Sequence, residues 1–173
     1  ILVFYASQEL GLGAVAIGLV LASAGVSGVV GAGLAPRLSE RFGLGRVVCL
    51  AGFTAPVAFL ITALAPTGAP GLVLLVVGQL VNGVGNGVRG PLEMSYRNAV
   101  TPDRLRARMN ATIRSFNWGT ITVSAPLAGW FAVTYGNRST ILVCVLGLAV
   151  AALIPTISPF LRAQMPEGEP EPS

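Results

Sequence analysis

The sequence predicts an all-α membrane protein, a polytopic helical bundle of five complete transmembrane helices preceded by a helical stub. Three observations carry this. Residues of the AVILMFWYC class make up 53% of the chain and charged residues only 10%, against about 25% charged in ordinary soluble domains. Uncharged apolar stretches recur along the 173 residues, each near the length of about 20 residues that crosses a bilayer. Short Pro/Gly connections separate them. So few charges cannot cover the surface of a water-soluble domain of this size.

The opening ILVFYA reads as the last turns of a helix whose start is missing, so the chain looks like a piece of a longer protein. No basic segment precedes an apolar core there, and no signal peptide is visible. The first full span, about 14–35, carries no charge and is rich in small residues: Ser23, Gly25, Ser27, Gly28, Gly31 and Gly33. Such residues let helix backbones approach closely. The second span, about 47–65, offers only Thr54 and Thr62 as polar side chains. The Pro/Gly loop APTGAPG leads to the third span, about 71–99, which is uncharged up to Val88. VTPDRL starts the next helix, with Thr101 as N-cap, Pro102 at the first helical position and Asp103 at the positive helix end. The fourth span, about 108–135, and the fifth, about 139–161, meet at YGNRS. Residues 163–173 form an acidic, proline-rich tail expected to be disordered.

All eleven basic residues are arginines. With five spans, alternate loops share a side, and nine arginines fall on one side: Arg37, Arg41, Arg46, Arg97, Arg104, Arg106, Arg108, Arg114 and Arg162. Arg138 alone falls on the other, and Arg89 lies within a span. The positive-inside rule makes the arginine-rich side, with the C-terminus, cytoplasmic. The net charge of +4 is thereby an orientation signal, and no nucleic-acid partner is expected. The chain has no histidine, which excludes Ser-His-Asp and Cys-His hydrolase chemistry. Cys49 and Cys144 sit in apolar runs without metal-ligand spacing, so neither a metal nor another cofactor is expected, and no enzyme activity.

Gly85, Gly87 and Gly90 read G-x-G-x-x-G, the spacing of a dinucleotide-binding turn. That fingerprint needs a strand before it and an acidic residue about 20 residues on. Pro91 follows the last glycine instead, and position 110 is Asn. The membrane reading fits better: Gly83, Gly87 and Gly90 put small residues on one helix face for close packing. Gln79, Asn82, Asn86, Arg89, Glu93 and Arg97, at spacings of three and four, form a polar stripe expected on the opposite face. Arg89 lies about ten residues before the break at Thr101, roughly 15 Å deep. Lipid contact there would cost at least about 2.5 kcal/mol. The stripe either lines a water-filled transport pathway or neutralises itself against a neighbouring helix. Asn110, Arg114, Asn117 and Ser124 repeat the pattern more weakly on the next span.

On these residues the chain resembles the C-terminal half of a major facilitator superfamily transporter, from the end of helix seven through helix twelve, over residues 1–165. APRLSERFGLGR (35–46) resembles the second copy of the family's cytoplasmic loop motif, with Glu40, Arg41, Gly43 and Arg46 at its positions and Glu where Asp is usual. AVTPDRLRARMNA (99–111) is similar to the loop between helices ten and eleven in the drug- and siderophore-exporter branch. SAPLAGW (124–130) faintly echoes the antiporter motif. The resemblance implies half of a twelve-helix transporter in the plasma membrane. It implies efflux of a small molecule by alternating access, protons as coupling ion, and an N-terminal half as partner. A non-transporting polytopic protein, such as a receptor or an assembly subunit, is the alternative.

Overall fold

A computed structural model describes residues 2–8 and 10–158. All regular structure among them is helical: α1 (Leu2–Gln8), α2 (Ala14–Phe42), α3 (Leu44–Gly52), α4 (Thr54–Ala63), α5 (Ala69–Val100), α6 (Asp103–Tyr135) and α7 (Asn137–Ile157). The fold is the expected all-α helical bundle. The tail at 163–173, with Arg162, lies outside the described residues.

Among the described residues, four stretches are long and apolar enough to cross a membrane: α2, α3 continued by α4, α5, and α7. The fourth span of the sequence reading, now α6, is 33 residues long but is less apolar. Its uncharged half is interrupted by Asn117, Thr120, Thr122, Ser124 and other polar or small residues.

The second expected span is not one helix. It breaks at Phe53, whose N–H bonds back only three residues, to Leu50 O at 3.1 Å. Pro56, three residues on, has no N–H to donate to Gly52 O, so the regular ladder cannot continue through this point. Thr54 Oγ1 donates to Ala51 O at 2.7 Å across the break.

α5 is the hub, packed most extensively on α2 and then on α4 and α3. A Cβ built on Gly83 would collide with Ser27 Oγ and Ala24 O, and one on Gly87 with Gly28 O. The paired positions rise together in number, so α2 and α5 run in the same direction. On another face, a Cβ at Gly85 would overlap Thr54, and one at Gly78 would lie 2.9 Å from Ala58 O. Here numbers fall as the others rise, so α4 runs antiparallel to α5. Close contact on two faces, with α2 backbone at Gly83 and Gly87 and with Thr54 and Ala58 of α4 at Gly85 and Gly78, explains glycines that each weaken the helix by about 1 kcal/mol.

Two apolar clusters fill the ends of this sandwich. Tyr5, Leu10, Val20, Ala63, Ala65, Leu75 and Ile141 form one, tied by the Tyr5 hydroxyl donating to Ala65 O at 3.2 Å. Ala35, Leu44, Val47, Val48, Val88 and Leu92 form the other, toward the arginine-rich end. Large apolar side chains cover the outside, Val15 (79% exposed) and Val29 (75%) of α2 among them. That surface suits lipid and is unfavourable in water.

Candidate functional site

The polar stripe of α5 lies between the two glycine faces. At about 100° per residue, Gly83 and Gly87 point toward α2 while Gly78 and Gly85 point toward α4. Gln79, Asn82, Asn86, Arg89 and Glu93 occupy the strip between those directions. The stripe is therefore flanked by packed helices and not set opposite the glycines. Gly90 takes no part in packing: a Cβ there would meet nothing within 4 Å. Gly78 and Gly85, with no place in the G-x-x-x-G pattern, make the α4 contact instead. All of Gly85-Asn86-Gly87-Val88-Arg89-Gly90 is regular helix, so no phosphate-cradling turn exists there.

Along the stripe, Gln79 is buried (7% exposed) and Asn86 is exposed. The Asn86 amide donates to Asn82 Oδ1 and to Asn82 O, both at 3.0 Å. Arg89 Nε donates to Glu93 Oε1 at 2.5 Å, with 44% of the Arg89 side chain and 29% of the Glu93 side chain exposed. Arg97 Nε donates to Glu93 O at 3.1 Å, closing the stripe toward the arginine-rich end. An ion pair this far along an apolar helix is costly in hydrocarbon, so its open side needs water or polar protein.

The second stripe is not joined to the first. α6 has no buried residue and packs chiefly on α7. Arg114 and Asn117 are exposed, and no hydrogen bond or ion pair connects them to α5 among the described residues. A mainly apolar groove of about 570 Å³ runs along α6, bordered by Ser115, Phe116, Gly119, Thr120, Val123 and Leu127.

Both loop motifs have structural content. Gly43 joins α2 to α3 in a single residue at φ +84°, a conformation L side chains rarely adopt, and its N–H donates to Ser39 O at 2.9 Å. Glu40 and Arg46 are exposed, and Arg41 lies over the Phe42 ring at 5.4 Å. Glu40 and Arg41 do not pair with each other. At the α5–α6 corner, Arg106 Nε donates to Asn98 O at 2.8 Å and Thr101 O at 3.1 Å, and its Nη1 lies 2.6 Å from Asp103 Oδ1. Asn110 donates to Asn98 Oδ1 at 3.3 Å. Thr101 is not the α6 N-cap. It ends α5, its hydroxyl donating to Arg97 O at 2.7 Å, and Pro102 takes the N-cap position. The i,i+3 pairing of Arg106 with Asp103 is readable from spacing, but its hold on α5 is not, because the acceptors there are backbone carbonyls.

Tightly packed helices, a lipid-suited exterior and an ion pair far along an apolar helix define a polytopic membrane protein with a polar stripe on α5. The model of the Major Facilitator Superfamily matches residues 1–173, and the chain belongs to that family. Members of that family are transporters and not enzymes. The chain is 28% identical over 99 residues to the arabinose-proton symporter of Bacillus subtilis (strain 168). The shared stretch is 57% of this chain and only 20% of that protein's length. No solved structure matches the chain.

Proposed function

We propose that the chain is the second half of a proton-coupled solute transporter of the plasma membrane, with α1 ending helix seven and α2 through α7 supplying helices eight to twelve. In this reading the arginine-rich end is cytoplasmic. The polar stripe of Gln79, Asn82, Asn86, Arg89 and Glu93 faces a pathway completed by an N-terminal half. Arg114 and Asn117 belong to a further wall of that pathway on α6. Transport runs outward, a small molecule leaving in exchange for protons.

The observation that carries the reading is the Arg89–Glu93 pair, partly exposed within the polar stripe of a membrane-length helix. A carboxylate beside an arginine in a space that opens and closes can exchange a proton as its surroundings change. The 99–111 loop motif supports the outward direction. Likeness to a named proton symporter favours the opposite direction, proton-linked uptake, as the second reading.

Reconstitution of the full-length transporter into vesicles with an imposed pH gradient tests both. Movement of a candidate solute against the proton flow supports exchange, and movement with it supports symport. Glu93→Gln should abolish the gradient-driven component while leaving substrate binding intact. Unchanged gradient-driven transport in well-expressed Glu93→Gln overturns the coupling role.

A further inference from the structure

The break between α3 and α4 lies beside Arg89. A Cβ at Gly52 would stand 4.0 Å from Arg89 Nη1 and 3.9 Å from Ala152 Cβ of α7, so three helices meet at this point. Cys49, one turn earlier on α3, is buried. The break also deprives two carbonyls of their regular donors. Cys49 O loses the N–H of Phe53, which turns to Leu50 O. Gly52 O would be served by residue 56, which is proline. Positions 49 and 52 are three apart and share a helix face. They form the carboxy-terminal end of α3, the negative pole of its dipole.

We infer that the α3 end is a second seat for the Arg89 guanidinium, which moves between the Glu93 carboxylate and the carbonyls of Cys49 and Gly52. Arginine suits this exchange because its planar fork offers five donors, only one of which the Glu93 contact uses. Gly52 keeps the approach clear, since a side chain there would grow toward the guanidinium. The seat explains how Glu93 can be neutralised or turned to a cationic ligand without stranding an arginine at membrane depth. Of the other charges, Arg46 of α3 is exposed near the amino-terminal end of that helix. α4 carries none, Arg138 of α7 lies at the far end beside Ala63, and Arg97 caps the next turn of α5. Arg37, Glu40 and Arg41 of α2 fall opposite the last turns of α5 by the register of the glycine contacts.

The inference concerns Arg89 itself and holds for either transport direction. Its test is thermal unfolding of the purified full-length protein, which does not depend on transport. Pro56→Ala restores the N–H aimed at Gly52 O, and Gly52→Val covers the approach, so each closes the seat by a different route. Glu93→Gln removes the first seat. Combined with Glu93→Gln, each variant should lower the melting temperature by about 3 °C more than the two single losses together. In an Arg89→Met background the same pairs should be additive, a distinction that a simple packing defect would not make. Additive losses for both variants with Arg89 present would overturn the second seat.

Discussion

The two glycines Gly87 and Gly90, three residues apart on α5, should respond to alanine in opposite ways. At Gly87 the new Cβ would collide with Gly28 O and approach Ala32 N at 3.0 Å, all backbone. Backbone cannot rotate aside as a side chain can, so α2 and α5 must separate along their longest contact. Overpacking of this kind costs about 1–3 kcal/mol, less the roughly 0.8 kcal/mol that alanine gains over glycine in a helix. At Gly90 nothing lies within 4 Å, so only that gain operates. The helix gain is common to both, so the variants should differ by the overpacking cost, about 1–3 kcal/mol, a gap of about 2–12 °C in melting temperature for a chain of this size. Thermal unfolding in detergent, followed by tryptophan fluorescence, reads this directly. Equal losses at both positions would refute the assignment of the α2 face to Gly83 and Gly87 alone.

Gly43→Ala should destabilise by about 1–3 kcal/mol, because the residue holds a conformation open essentially to glycine; denaturation in detergent measures this, and a neutral result would mean the α2–α3 turn does not need that backbone. Arg106→Ala should cost about 1 kcal/mol, since the site is half exposed. It should also widen the distance distribution between spin labels on α5 and α6, and an unchanged distribution would show that the corner does not fix their angle. On a background with Cys49 and Cys144 replaced by alanine, a cysteine at Ser39 should label only from the cytoplasm and one at Thr67 only from outside. External labelling at position 39 would reverse the proposed topology.

The helices and the polar stripe were legible in the sequence for a local reason. Desolvating a backbone in hydrocarbon forces intrahelical hydrogen bonding, and a polar side chain within an apolar run announces itself by spacing alone. Turn residues did the same for Gly43 and for the loops around Gly68 and Gly136, all of which take positive φ. Partners were another matter. G-x-x-x-G names a small face but not the helix laid against it, so Gly90 was grouped with Gly83 and Gly87 while Gly78 and Gly85 went unassigned. Pro56 was visible in the sequence, yet the Phe53 N–H turning to Leu50 O and the seating of Thr54 against Gly85 of α5 were not. The corner held by Arg106 and the nearness of Arg89 to Gly52 came from tertiary structure alone. Each joins a side chain to backbone on another element, and a backbone atom carries no residue identity for a sequence pattern to record.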